Sequence, residues 1–385
     1  MRYQKPHLSL DQQLELLRQR GLLISNPDES RRALAEIGYY RLAAYLYPFR
    51  KPKPEDLRTT HWNYRFDEFE PSSTFESAIA IYDFDRRLRH VLFEGLELLE
   101  VGLRSRISNC AGTVDVFIHL KPELLDADEC ARRSKGSSKT RYDQWRSKYR
   151  EQVRRASGED FIKHHRSRYD DELPVWLALE VSDFGSITHL YNLLPKDVKN
   201  EIARYFGVTQ GAMFASWLRS FNYTRNLVAH HSRIWNRVFV TRPQIPNPAT
   251  VRQEIHHLQT RKSSKLYPPL SLLAYCLLSN NPANGWNLRA AETILGFPEV
   301  SGFSPPASMG FPENWDQLAL WHSDSTPSHR SREHLPQRNA HDHDAEQEHE
   351  PGFEPVCVVP EGDGVAEKQH RHNVEQECDE HTADN

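Results

Sequence analysis

No apolar run in this chain is long enough to cross a bilayer. The longest, LYPPLSLLAYCLL over 266–278, contains Pro268 and Pro269, and a spanning helix needs about 20 apolar residues. The opening MRYQKPHLSLDQQ lacks the apolar core of a secretory signal. Cysteine is scarce. Cys110, Cys130, Cys276, Cys357 and Cys378 are scattered, odd in number and without a C-x-x-C pair. That pattern argues against a disulfide framework and against a structural zinc site, and points to reduced thiols in a cytoplasm. The glycine patterns of Rossmann and P-loop folds are missing. No stretch sustains the alternation of a strand. We therefore expect a cytoplasmic all-α protein with no membrane contact, no cofactor and no metal.

Excess positive charge is also lacking overall, since 49 Lys/Arg stand against 53 Asp/Glu for a net charge of −4. The balance is uneven, however. From Trp321 onward there are 5 Lys/Arg and 16 Asp/Glu, which leaves 44 and 37 in the body. The body is thus net +7 and the tail −11, so a polyanionic partner remains open to the body. The tail holds 9 of the 20 histidines, few core-forming residues, and no ligand spacing of a structured metal site. We expect residues 322–385 to be disordered.

What is present reads as helix. Ser9 and Gln12 form a capping-box pattern ahead of Leu14, Leu16 and Leu17, with Gly21 as a stop. Asn26-Pro27-Asp28-Glu29 starts a second helix, predicted to run through Leu34, Ile37, Tyr40, Leu42 and Tyr45 to Pro48. Residues 51–73 read as a loop. From Phe75 to about Ser108, Leu88, Leu92, Leu96, Leu99, Leu103 and Ile107 recur at three- and four-residue steps. This should be the longest helix, roughly 30 residues or about 45 Å. LPVWLALEVSDFGSITHLYNLLP predicts a helix, a glycine turn and a helix. Further helices are expected over 249–260, 268–280 and 287–295. The expected organisation is an N-terminal helical segment (1–50), a helical core (75–240), C-terminal helices (241–321) and the tail.

The chemistry-bearing stretch is FNYTRNLVAHHSRIWNR, residues 221–237. Arg225 lies four positions after Phe221 and three before Val228, where the apolar period calls for a core residue. A charge there must find a partner, a cavity or another subunit. His230 follows five residues later, about 140° around an ideal helix. The two side chains converge only near a helix end, or where two copies of the segment meet across a two-fold axis. The plainer alternative is that both cap and pair within a helical core.

R-N-L-V-A-H resembles the R-x-x-x-x-H motif of the HEPN (higher eukaryotes and prokaryotes nucleotide-binding) ribonucleases. The surrounding blocks KPHLSLDQQLELLRQRGLLI, IGYYRLAAYLYPFR, IYDFDRRLRHVLFEGLELLEVGLRSRI, LPVWLALEVSDFGSITHLYNLL and SWLRSFNYTRNLVAHHSRIWNR resemble the abortive-infection Abi family related to AbiD and AbiF, over about residues 5–240. The resemblance implies a multi-helix bundle of HEPN type with an N-terminal helical extension. It also implies a metal-independent endoribonuclease that leaves 2′,3′-cyclic phosphate and 5′-OH ends. Arg225 and His230 would be catalytic, with Asn226 holding a phosphate or orienting His230. One motif per chain implies a homodimer. A histidine with a pKa of about 6.5 exchanges protons at neutral pH. A guanidinium fork suits a phosphorane-like charge.

Supporting roles fall to Glu97, Glu100, Arg104, His231 and Arg233. Glu97 or Glu100 either packs against Arg225 or pairs within its own helix. His231 and Arg233 tie the segment down, and Arg233 is also within the range of types that contact RNA. The basic run 131–168 offers Arg141, Arg146, Lys148, Arg154 and Arg155 to an RNA backbone. Tyr142, Trp145, Tyr149 and Tyr169 are interleaved there for stacking. The alternative for such a run is a solvated face. Expected partners are RNA, a second copy, and a small RNA or protein regulator. Non-catalytic RNA binding and a protein-interaction module are the competing functions.

Overall fold

Local signals set the first elements of the computed structural model, which describes residues 6–58, 64–133, 136–259 and 263–322. Apart from His322, the segment expected to be disordered lies outside these residues. Ser9 and Gln12 close the predicted capping box on α1 (Leu10–Gln19). Asn26 caps α2 (Pro27–Ile37) through the backbone N–H of Glu29. The single helix expected from there to Pro48 is broken at Gly38. Its φ of 90° is cheap only for glycine, and α3 (Tyr39–Leu46) starts anew beyond it.

The expected loop over 51–73 instead contains two short antiparallel strands. They are β1 (Arg50–Pro52) and β2 (Arg65–Phe69), with Arg50 opposite Phe69 and Pro52 opposite Arg65. Both are too short to show alternation. Arg50 and Arg20 pin the sheet by converging on Asp67, at 2.8 and 3.3 Å.

Thr74 caps α4 (Phe75–Gly112), which at 38 residues is longer than the sequence predicted. Leu88, Leu92, Leu96, Leu99, Leu103 and Ile107 are all buried along it. It is followed by α5 (Ala127–Ala131), α6 (Arg141–Arg155), α7 (Asp160–Arg168), α8 (Val175–Glu180), α9 (Phe184–Leu193), α10 (Lys196–Tyr205) and α11 (Gly211–Ala229). The turn between α8 and α9 falls at 181–183 and is closed by Asp183, which accepts from Ser186 N–H. Gly185 sits inside α9. The helix expected over 249–260 is two 3₁₀ stretches, Pro248–Thr250 and Gln253–Gln259. Buried Ile255 and Leu258 are three residues apart, the spacing that eclipses side chains in a 3₁₀ helix.

The described chain ends with α12 (Tyr267–Asn280), α13 (Trp286–Leu295) and α14 (Pro305–Met309). Pro268 and Pro269 stand in the first turn of α12, where a missing N–H costs nothing. The all-α reading holds, since among the described residues the only sheet is the two-stranded one. The long helix α4 is the axis of the fold: α3, α8, α10, α11, α12 and α13 all pack on it. At the α13 crossing Gly95 admits the ring of fully buried Trp286, whose indole N–H donates to the Val91 carbonyl at 2.7 Å. No described helix is long and apolar enough to cross a membrane.

Candidate functional site

Helix α11 buries Phe214, Trp217, Leu218, Phe221, Thr224 and Val228. Arg225 lies at the margin of that face and is half-buried. Among the described residues it makes no hydrogen bond or ion pair. The helix stops at Ala229, and His230, exposed, is its cap residue. His231 then takes a left-handed conformation with φ of 52°. Two backbone bonds complete this terminus: Ser232 N–H to the Leu227 carbonyl at 2.8 Å, and His231 N–H to the Val228 carbonyl at 2.9 Å. This is the Schellman arrangement, with histidine where glycine is usual.

The segment beyond the cap is tied to the N-terminal helices. Arg41 of α3 donates to the His231 carbonyl at 2.7 Å. Arg233 donates to the Ala44 carbonyl, so its role here is to hold the chain. Burial pushes the Arg233 guanidinium below its ordinary pKa, while Tyr45 and Asp85 oppose the shift.

The centre of this anchorage is Asp85, fully buried on α4. Its carboxylate accepts the Tyr45 hydroxyl at 2.6 Å, the guanidinium of Arg89, and the backbone N–H groups of Ile234 at 3.1 Å and Trp235 at 2.6 Å. Burial pushes the Asp85 pKa up. Arg89, Tyr45 and the two amides pull it down. By spacing alone Asp85 and Arg89 are an ordinary i,i+4 pair on a helix.

Glu97 is exposed, and Glu100 pairs with Arg104 at 2.8 Å. Arg104 also donates to the carbonyls of Leu179 and Ser182, at 3.1 and 2.9 Å, and so ties α4 to the end of α8. No hydrogen bond or ion pair joins Glu97 or Glu100 to Arg225 among the described residues.

His230 opens on a shallow depression of about 510 Å³ that it shares with Tyr40, Arg41 and Arg237. Asn226, also exposed, lines a separate cleft of about 450 Å³ between α6, α9 and α11. Arg225 lines neither. Neither of these two cavities contains more than one of Arg225, Asn226 and His230.

The basic run divides in two. Tyr142, Trp145 and Tyr149 are buried and stack on one another, with the fully buried His119 edge-on. The stacking role read from the sequence is thus closed to them; their three- and four-residue spacing is a core face. Tyr169 is 67% exposed. It flanks a groove with the exposed rings of Phe161 and Trp176 and with Arg168, a surface the sequence reading missed.

Of the cations, Arg141 pairs with Glu129 and also faces the α6/α9/α11 cleft. Lys148 pairs with Asp183 at 2.8 Å, and Arg155 pairs with Glu151. Arg146 lies over the Tyr142 ring at 6.0 Å. Arg154 is exposed on α6 with no partner among the described residues. No group of three or more His, Cys, Asp or Glu among the described residues is placed to hold a metal ion.

Residues 32–236 match a family described as Abi-like protein, an interval that contains both Asp85 and the 225–230 segment. No curated protein and no solved structure matches the chain.

Proposed function

The chain belongs to the Abi-like protein family, and from that premise we propose that it is an abortive-infection endoribonuclease of HEPN type. One observation carries this reading. Arg225 and His230 flank the end of α11 with their side chains uncommitted among the described residues, while the backbone around them is held by Arg41, Asp85 and Arg233. The held backbone fixes where these groups stand, and their free polar atoms leave them able to engage a substrate or a second copy.

In the proposed reaction the ribose 2′-oxygen attacks the adjacent phosphorus while His230 takes its proton. The bond from phosphorus to the 5′-oxygen breaks, and that oxygen receives a proton. A 2′,3′-cyclic phosphate and a 5′-OH remain. Arg225 faces the charge that builds on the phosphoryl oxygens. Because Arg225 and His230 are five residues apart and Arg225 does not line the depression on which His230 opens, the site is completed by a second copy, in the cytoplasm of an infected cell. A small RNA or a protein would hold it silent until infection.

The test is cleavage of RNA by the purified full chain in the presence of a chelator. Cyclic-phosphate ends should appear, and His230→Ala and Arg225→Ala should each abolish them. Mixing the two inactive variants should restore part of the activity if each site draws on both copies. Cleavage by His230→Ala equal to the unmodified protein would overturn the site. A second reading has its own observation, the exposed ring groove of Phe161, Tyr169 and Trp176 beside Arg168. Salt-sensitive RNA binding with no cleavage by any variant would favour that non-catalytic function.

A further inference from the structure

The cleft between α6, α9 and α11 is not explained by the R-x-x-x-x-H motif. Its volume, about 450 Å³, suits one small ligand. Arg141, His189 and Arg219 face it from three different helices, and no carboxylate lines it among the described residues. Arg219 is exposed, and among the described residues it has no hydrogen bond or ion pair. The side-chain amides of Asn222 and Asn226 are equally uncommitted. Gln144 donates to the Ser137 hydroxyl and the Lys139 carbonyl at 3.1 and 2.9 Å and Asn192 donates once, to the Thr188 carbonyl at 2.7 Å, which leaves both amide oxygens and one Asn192 N–H.

His189 is exposed, but desolvation at the cleft, with Lys148 and Arg141 adding to it, pushes its pKa down against Asp183. In its uncharged form, which this shift favours, His189 offers one donor and one acceptor. Asp183 itself is committed to Lys148 at 2.8 Å and to Ser186 N–H at 2.7 Å. The cleft thus combines unopposed guanidinium with mixed amide donors and acceptors. Guanidinium recognises phosphate, and paired amide donors and acceptors recognise base edges.

Position adds direction. Arg219, Asn222, Tyr223 and Asn226 share one face of α11, being three, four and seven residues apart. His230 lies four residues beyond Asn226 and so continues that face. From Asn222 to His230 the helix advances about 12 Å at 1.5 Å per residue, a span of a few nucleotides.

We propose that this cleft is a nucleotide subsite, holding the phosphate and base of one residue of a single-stranded RNA that continues along α11 toward His230. The proposal rests on the ribonuclease reading only for what happens at His230.

The test uses the full chain and two probes, a fluorescein-labelled 2′-O-methyl RNA 12-mer that cannot be cut, and 5′-AMP. In an anisotropy titration, Arg219→Ala with Asn222→Ala should weaken 12-mer binding about tenfold or more. The slope of log affinity against log salt should fall by about 0.7, one phosphate contact on a single strand. Arg18→Ala, which removes the same charge from α1, should change affinity by less than about twofold. Equal affinity and slope in the double variant overturn the subsite, and cleavage of unmodified RNA by both proteins would then leave the ribonuclease reading intact. Weakened 12-mer binding with no cleavage by the unmodified protein keeps the subsite and removes the ribonuclease reading. Saturable 5′-AMP binding without 12-mer binding overturns the strand placement and assigns the cleft to free nucleotides. Binding of neither probe overturns it outright.

Discussion

Removing the Asp85 carboxylate should cost this protein more than removing any residue of the motif it supports. Asp85 has no exposure to solvent, and the Arg89 side chain is only 6% exposed. Asp85→Ala leaves that guanidinium buried without its counter-ion, which costs about 3–5 kcal/mol. It also strips the acceptor from Ile234 N–H and Trp235 N–H, each worth about 1–3 kcal/mol when orphaned in the interior. These contributions overlap, because relaxation that rescues one group partly rescues another. We expect about 5 kcal/mol in total, comparable to the whole stability of many domains.

The double change Asp85→Leu with Arg89→Leu separates the two causes. It leaves no lone charge and orphans only uncharged groups, the two backbone amides and the Tyr45 hydroxyl, so it should cost less than the single change, about 3 kcal/mol. Urea unfolding followed by tryptophan fluorescence measures both variants, and Trp235 lies at the centre of the change. Amide exchange at Ile234 and Trp235 should accelerate in both. A loss below about 1 kcal/mol for Asp85→Ala would refute the anchoring role. A double variant as damaged as the single one would refute the charge argument.

Two further outcomes follow from the packing. His119 is fully buried, neither ring nitrogen has a partner among the described residues, and burial lowers its pKa to about 4. Its folded pKa thus lies below the unfolded value of about 6.5. The stability it carries is complete above about pH 6.5 and is lost as pH falls toward 4, by about 3 kcal/mol in all. His119→Phe should remove that part of the pH dependence when urea midpoints at pH 7.5 and 4.5 are compared. An unchanged difference between the two midpoints would contradict it. Gly95→Ala would drive a methyl into the Trp286 ring and should cost about 2 kcal/mol or more in the same unfolding assay. A neutral result would mean that α13 shifts freely on α4.

The long helix was legible because its leucines keep helical spacing for many turns, a signal that does not depend on tertiary context. The capping box at Ser9 and the N-cap at Asn26 are equally local. Gly38 was harder to read, since a glycine inside an apolar period is either tolerated or a break, and only the path of the chain decides. The burial of Tyr142, Trp145 and Tyr149 was in fact written in their spacing. The surrounding arginines and lysines drew the reading to the surface instead. The role of Asp85 was not legible. An aspartate four residues before an arginine looks the same on a wet face as in a core. The amides it serves lie 149 and 150 residues away in sequence. The α6/α9/α11 cleft was hidden for the same reason, because Arg141, His189 and Arg219 meet only in three dimensions.

The end of α11 shows how the fold divides two tasks on adjacent residues. His231 sits in a left-handed conformation that costs a non-glycine residue of order 1 kcal/mol. Such a conformation persists only when its surroundings over-determine it. Here they do: two backbone bonds close the terminus, Arg41 holds the His231 carbonyl, and Asp85 and Arg233 fix the chain that follows. Every one of these tethers acts on backbone groups or on Arg233. None engages the side chains of Arg225, Asn226 or His230. A terminus built only for stability would have no reason to spare the most polar side chains within reach. It would also place glycine at 231. The arrangement is explained if the terminus exists to present those side chains at a fixed place, with the strain at His231 offset by contacts from α3 and α4.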